Sequence, residues 1–491
     1  MLPLLVAAAL TYVGNDACRG CHPSIYASYI RTPMALSSGE VRNEIVPGSF
    51  RHRASGTEYS IASSGVVKWK SGTMSGQRQL EYFIGSGAAG RSYFWTVDRF
   101  LFQAPVTWYS QQNRWDVSPG FERDTTTRWS RAIEPNCLFC HASQPRPIYG
   151  TQNQYAEPPF AQGGVGCERC HGPGSEHIAG RGGMVNPAKL GTAERDSVCS
   201  QCHLSGAARI EKADQRIAAF RPGQNLDDYV AFFVPANMAG GDMKATGHME
   251  KLEGSACKQI SGDKLWCGTC HDPHTVPSAK ERIAWYREKC LSCHQPSDCR
   301  RGPDCASCHM PRERVVDGGH GVLTDHGIPR IPRNRRRSSG HWQLQPFRGY
   351  TATVRELGLA YAEVSHISGD AQHRREAERL LRTVTPDAQV WVRLADLRSR
   401  RNDPIGAATA WESVLKLDPN SVVALVNLGA VRGSAGDLAG AEALWKRALE
   451  KNSGQMEAGR NLYRLYRNQG RHSEAVALRA RLRQFEPGIQ E

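Results

Sequence analysis

Seven times in this chain two cysteines stand three positions apart with a histidine directly after the second. They are Cys18/Cys21/His22, Cys137/Cys140/His141, Cys167/Cys170/His171, Cys199/Cys202/His203, Cys267/Cys270/His271, Cys290/Cys293/His294 and Cys305/Cys308/His309. Two thiols at this spacing reach the two vinyl groups of one porphyrin, and the adjacent histidine then lies under the iron as an axial ligand. The pattern predicts seven covalently bound haem c groups, with the fourteen cysteines as attachment points and the seven histidines as proximal ligands. Cys-x-x-Cys is also half of a zinc site, but seven repeats that each carry histidine at the same offset fit zinc poorly.

What each iron does depends on its sixth ligand. A second strong ligand closes the iron and suits electron transfer, whereas an open position admits a substrate. Seven histidines outside the motifs face seven irons in this part of the chain: His52, His177, His248, His274, His320, His326 and His341. The count permits complete bis-histidine ligation. His341, beside Trp342, reads better as a packing residue, and His366, His373 and His472 read as surface histidines of helices. Of the 16 cysteines only Cys257 and Cys299 fall outside the motifs. A disulfide between them and a pair of buried free thiols both stay open, and either role is structural.

The elements that hold these motifs follow from the composition along the chain. Every cysteine lies between Cys18 and Cys308, so a boundary follows the last motif. Residues 14–332 are expected to form a loop-rich heptahaem domain, because porphyrins supply the buried apolar surface that regular elements would otherwise provide. Ile25, Tyr26 and Tyr29 share one face of a short helix after the first motif. Within the domain, residues 50–121 lack cysteine and alternate β-prone runs with Gly and Ser turns, which predicts a small antiparallel insert. Residues 333–345 carry the basic run Arg333-Asn-Arg-Arg-Arg and read as a solvated linker. In residues 346–491, segments starting at Ala388, Val422 and Met456 align at a 34-residue period. That is the period of tetratricopeptide repeats. In this register Leu394, Leu428 and Leu462 coincide, as do Ala407, Ala441 and Ala475, with Trp411 and Trp445 after them; Val354 to Pro386 fits as a degenerate or capping repeat. The expected architecture is therefore multidomain: a loop-rich multihaem domain with a β insert, then an all-α repeat solenoid.

The formal charge of +14 would ordinarily invite a nucleic-acid reading. Each ferric haem adds roughly −1 and each ferrous haem roughly −2 when its propionates ionise, so seven would bring the total to about +7 oxidised and about zero reduced. The basic excess therefore reads as compensation for propionates, and no nucleic-acid partner is expected. The apolar run Leu2 to Leu10, with Ala7-x-Ala9, is too short to span a bilayer. Residues 1–13 read as a secretory signal or, since a basic leader is missing, as a disordered N-terminus. Haem attachment through paired thiols implies a periplasmic or otherwise extracytoplasmic location, with no transmembrane span.

The runs Gly166-Cys-Glu-Arg-Cys-His-Gly-Pro-Gly-Ser-Glu-His177, Cys267-Gly-Thr-Cys-His-Asp-Pro-His274 and Cys305-Ala-Ser-Cys-His-Met-Pro311 resemble bacterial multihaem cytochromes c. The likeness is to those related to the hydroxylamine oxidoreductase and pentahaem nitrite reductase superfamily, in particular members fused to tetratricopeptide repeats. The resemblance implies distal-ligand roles for His177 and His274. It also places Met34, in Arg31-Thr-Pro-Met34-Ala35, where such cytochromes often carry a distal histidine; a packing methionine is the alternative. With Met34 as a ligand, the seven distal groups are Met34, His52, His177, His248, His274, His320 and His326. The lysine-ligated haem typical of the nitrite reductases has no counterpart, since Cys-x-x-Cys-Lys does not occur. The expected function is electron transfer between redox partner proteins, with the repeats docking a protein partner. The alternative is a haem oxidoreductase acting on a small nitrogen or sulfur compound at one open site.

Overall fold

The structure is a computed structural model that describes residues 11–42, 45–236, 242–298, 302–330 and 342–487. The Leu2–Leu10 run, Cys299, most of the basic linker and His341 lie outside the described residues.

The β-rich part is larger than the expected insert. A four-stranded antiparallel meander, Gly48–Arg51, Glu58–Ile61, Val66–Ser71 and Met74–Gln79, is followed by a six-stranded sheet. The sheet runs from Ser38–Glu40 through Tyr82–Ile84, Arg91–Val97 and Phe100–Tyr109 to Arg131–Ala132, with Arg114–Val117 also paired to Phe100–Tyr109. The meander alternates as a one-sided sheet should: Tyr59, Ile61, Val67 and Trp69 point inward while Glu58, Ser60, Lys68 and Lys70 are exposed. The long strand Phe100–Tyr109 is buried on both faces. One of its faces meets the end of the repeat domain, a contact that alternation within the strand does not reveal.

The second to seventh motifs follow among short helices, turns and two-stranded ribbons, as expected. Between Lys258 and Val315 no described residue is buried, although three motifs lie there. Chain of this length with no core of its own needs another apolar filler, and porphyrins fit that need.

The last part is a run of four helical hairpins: Val354–Ser368 with Ala371–Leu381, Ala388–Arg400 with Pro404–Leu417, Val422–Ser434 with Leu438–Lys451, and Met456–Asn468 with His472–Phe485. The first helices begin at Val354, Ala388, Val422 and Met456, so the degenerate first repeat keeps the 34-residue period. Aspartates cap the starts: Asp370, Asp387, Asp403 and Asp437 each accept a backbone N–H of the first turn. Leu394, Leu428 and Leu462 are buried together with Ala407, Ala441 and Ala475. A Cβ on Gly429 would run into the Trp445 ring, so glycine lets those two helices close.

The repeats do not hang free. At their start, Leu359, Ala360 and Tyr361 pack on Ile210, Phe233 and Leu344 of a three-stranded sheet formed by Ala208–Glu211, Val230–Pro235 and Leu344–Pro346. Thus Leu344–Pro346, expected at the linker's end, is a strand. At the far end Phe485 meets Phe100 and Phe102 with ring centroids 5.9 and 6.0 Å apart. Glu486 accepts from Trp129 N, Ser130 N and Ser130 Oγ at 2.8, 3.1 and 2.9 Å. His373, expected at the surface, is buried: its Nε2 lies 2.8 Å from the Trp342 carbonyl and its ring packs on Trp342 and Tyr361. The packing of the first repeat against Trp342 covers it.

Candidate haem sites

Each motif is wound as a single helical turn. The N–H groups of His22, His171, His271 and His294 donate to the carbonyls of Cys18, Cys167, Cys267 and Cys290 at 2.9, 3.0, 2.9 and 3.0 Å. This turn sets both thiols and the imidazole on one side, as attachment to one porphyrin edge requires. The second motif ends the helix Pro135–His141, the fourth ends Thr192–His203 and the seventh occupies Cys305–His309. Among the described residues no three or more His, Cys, Asp or Glu side chains gather as a bare metal ion would need.

Histidines distant in sequence face four of the motif imidazoles. Ring centroids lie 6.3 Å apart for His22 and His177, 5.9 Å for His171 and His274, 6.1 Å for His271 and His326, and 5.3 Å for His203 and His248. Two imidazoles bonded at about 2 Å to opposite sides of one metal would hold their centroids about 6 Å apart. The first three pairs therefore fit a haem iron between them, whereas His203 and His248 stand closer than that spacing and His248 lies nearer still to His326, at 4.8 Å.

Hydrogen bonding sorts the remaining nitrogens. Nδ1 of His171, His177, His309 and His326 lies 2.7, 3.2, 3.0 and 3.0 Å from the carbonyls of Val185, Gly182, Pro329 and Thr324. A ring that donates Nδ1–H to a carbonyl presents a bare Nε2, the arrangement of a metal-ligating histidine. Burial pushes the imidazolium pKa down for His141, His171, His203, His271 and His326, and His248 is driven to about 3, with the nearby His326, His203 and His271 adding to the effect. Burial thus favours the neutral imidazole in all six, the form that ligates.

Two other expected distal ligands stand elsewhere. His52 has both nitrogens engaged inside the β-rich part, Nδ1 with Ser55 Oγ at 2.9 Å and Nε2 with the Glu122 carbonyl at 3.2 Å. His320 Nε2 lies 2.9 Å from Asp116 Oδ2 and 2.8 Å from Arg114, and its ring packs edge-on to Tyr109. The structure brings neither to a motif imidazole among its described ring contacts. The Met34 segment reaches the second motif: Met34 O accepts from Ser37 N, and Ser37 Oγ and Ser38 Oγ donate to His141 O at 2.9 and 2.6 Å.

Motifs far apart in sequence become neighbours. Thiols come within hydrogen-bonding reach in the pairs Cys18 with Cys167, Cys140 with Cys202, Cys199 with Cys267, and Cys290 with Cys305. Cys170 stands close enough to Cys199 and Cys202, and Cys270 to Cys290, to interact electrostatically. Burial pushes Cys167 up to about 12 and Cys290 to about 11, so as free thiols they stay protonated. The pairing of Cys257 with Cys299 lies outside the described residues, because Cys299 does.

Exposure divides the fourteen motif thiols: Cys21, Cys137, Cys293 and Cys308 are exposed, and the other ten are partly covered. The four close thiol pairs include none of these four exposed thiols, nor Cys170 and Cys270. Cys293 interacts with Cys257 and Cys270 through charge alone. The physical reason is local. The first motif sits on the four-residue helix Asp16–Arg19 and the turn after it, and the sixth at the end of Arg282–Leu291, neither of which has a buried residue. Chain packing therefore does not cover Cys21 and Cys293, and their attachment role rests on the motif spacing.

Some positioning residues escaped sequence reasoning. Glu168, inside the third motif, is buried and accepts from Val13 N, Gly14 N and Gly174 N at 2.9, 2.8 and 2.7 Å, while Asn15 Oδ1 accepts from Cys167 N at 2.8 Å. These bonds strap the first motif to the third. A charged residue between two motif cysteines was the only signal available. Arg348, Asp196 and Glu253 form an ion cluster beside the fourth motif that no spacing announced.

A model of the family "Cytochrome c554 and c-prime" matches residues 108–172, which include the second and third motifs. Multiheme cytochrome MtrA of Shewanella baltica is 24% identical over 39% of this chain and 63% of its own length. Dissimilatory sulfite reductase MccA of Wolinella succinogenes is 24% identical over 30% of this chain and 22% of its own. A probable biofilm formation methyltransferase, WspC of Pseudomonas putida, is 36% identical over 19% of this chain and 22% of its own length. The chain thus spans less than two thirds of each relative. Among solved structures, a MamA mutant is 18% identical with a TM-score of 0.25, covering 28% of this chain and 81% of that one. No helix among the described residues is long and apolar enough to cross a membrane. The cytochrome matches together with the motifs support haem c binding in the motif-bearing part of the chain, which the repeat-like helical region follows.

Proposed function

We propose that the chain is a heptahaem electron relay located outside the cytoplasm. The seven motifs hold seven haem c groups, whose irons supply one-electron redox chemistry. His177, His248, His274 and His326 are the distal ligands of the first, fourth, third and fifth sites, and Met34 serves the second. His52 and His320 are structural. In this reading the attachment sites run first, third, fourth, fifth, sixth, seventh, with the second set beside the fourth. The facing imidazole pairs carry the proposal, because close bis-histidine ligation is what a carrier needs and a substrate site avoids. The middle of the repeat solenoid, between its two anchored ends, docks a protein partner.

Electron paramagnetic resonance of the fully oxidised protein, with haem counted by pyridine haemochrome, tests this. Seven haems with at least four low-spin bis-histidine irons are expected. Five or fewer haems, or mostly high-spin irons, would overturn it. The likeness to a sulfite reductase favours one second reading, a small-anion oxidoreductase at an open haem. It requires a high-spin signal that changes when sulfite or nitrite is added.

A further inference from the structure

Arg348 stands where the chain leaves the three-stranded sheet for the repeats, on the turn Phe347–Gly349. Its backbone is left-handed, φ 51° and ψ 29°, a conformation a non-glycine residue keeps only when its surroundings hold it there. The side chain explains the holding. Its Nη2 lies 2.9 Å from Asp196 Oδ2 and 2.7 Å from Glu253 Oε2, Nε donates to Glu253 at 2.9 Å, and Nη2 also meets Met249 Sδ at 3.5 Å.

Each of these partners belongs to the fourth site. Asp196, with its side chain only 3% exposed, lies on the helix that ends in His203. Met249 and Glu253 lie on the short helix His248–Glu253, whose first residue faces His203. The fifth motif adjoins the same cluster: Arg195 bonds Asp196 at 3.0 Å and stacks on Trp266, the residue before Cys267. The cluster therefore joins both imidazole-bearing helices of the fourth site, the fifth motif and the root of the repeat domain.

We propose that Arg348 is a positioning residue that sets the reduction potential of the haems held at the fourth and fifth motifs, so that the repeat domain is electrostatically wired to the centre of the relay. The inference rests on the haem reading above. A cation in a poorly solvated site favours the reduced, more negative centre, and here it also offsets two carboxylates that favour the oxidised one.

The experiment is a spectroelectrochemical titration of the full-length haem-loaded protein as wild type, Arg348→Met, Arg348→Lys and Glu253→Gln. Arg348→Met should move one or two of the seven midpoints to lower potential and leave the others in place. Arg348→Lys should restore them, and Glu253→Gln, which removes a negative charge, should move the same midpoints upward. A merely structural Arg348 would not produce shifts of opposite sign. The proposal is overturned if Arg348→Met, with full haem content, leaves every midpoint unchanged, or if Glu253→Gln gives no upward shift. Should Arg348→Met fail to assemble, Glu253→Gln alone decides. Unmodified Cys199 and Cys202 in tryptic peptides of the wild type would instead sink the haem reading itself.

Discussion

At the scale of single residues, the orientation of facing imidazoles has a spectroscopic consequence. His22 and His177 lie 17° from coplanar and His171 and His274 lie 9°, whereas His203 and His248 are at 81°. Near-parallel axial rings split the iron orbitals and give rhombic low-spin spectra; near-perpendicular rings leave them almost degenerate and give a strongly axial signal. The oxidised protein should therefore show at least one strongly axial low-spin signal, and His248→Ala should abolish it. Retention of that signal in the variant would place the perpendicular pair elsewhere. His326→Ala should convert one iron to high spin. His52→Ala and His320→Ala should leave the low-spin count unchanged, with His52→Ala costing about 1–3 kcal/mol because Ser55 and the Glu122 carbonyl lose a partner. A new high-spin signal in either would make that histidine a ligand after all.

Elements of the repeat region obey the spacing rules of close helix packing. Ala441 is fully buried, within ordinary contact distance of where a side chain on Gly433 would start, and belongs to the same cluster as Trp445. Ala441→Trp should overpack this contact and lower stability by roughly 1–3 kcal/mol in denaturant unfolding, with haem content retained. The strand Phe100–Tyr109 shows the converse case. Its near-continuous apolar run has no solvent face because Leu101 packs in a cluster with Leu138, Tyr155 and Phe160 on one side and Phe485 of helix His472–Phe485 meets Phe100 and Phe102 on the other. Read alone it resembles any buried strand, and its true neighbour lies more than three hundred residues away.

At the scale of the molecule, the repeat domain is a brace anchored at two points, and its far anchor can be tested alone. Phe485 is 1% exposed, and Phe485→Ala should cost roughly 3–5 kcal/mol and open the last hairpin to hydrogen exchange ahead of the rest. Burial pushes the Glu486 carboxyl above its ordinary range, although the three donors on Oε2 pull the other way. A raised carboxyl pKa means the folded state holds this proton to higher pH than the unfolded chain does. The contribution of Glu486 is therefore full below the ordinary glutamate pKa and declines as pH rises through the raised value. Glu486→Gln should remove that pH dependence while keeping the anchor. Glu486→Ala should weaken it by roughly 1–3 kcal/mol, because Trp129 N and Ser130 N lose their acceptor.

The primary structure by itself determined everything that depends on local covalent spacing. The motif turn at each Cys-x-x-Cys-His needs only one helical winding. The repeat period survives in the order of Leu394, Leu428 and Leu462, because one face of a stacked helix must stay apolar whatever lies beyond it. His177 and His274 were legible from the family pattern, and they do face motif imidazoles. Tertiary structure decided which imidazole meets which, since His326 and His271 are joined only by how intervening chain returns. It also decided that Cys21, Cys137, Cys293 and Cys308 stand exposed while eight other motif thiols are gathered in pairs. His52 and His320, alike in sequence to the other histidines, spend their nitrogens on local partners, and His373 is covered by Trp342, for the same kind of reason. Above all it decided that the repeats share cores with both ends of the rest of the chain. Packing between distant segments depends on complementary shapes meeting in space, and a one-dimensional pattern records only that a face is apolar, not what covers it.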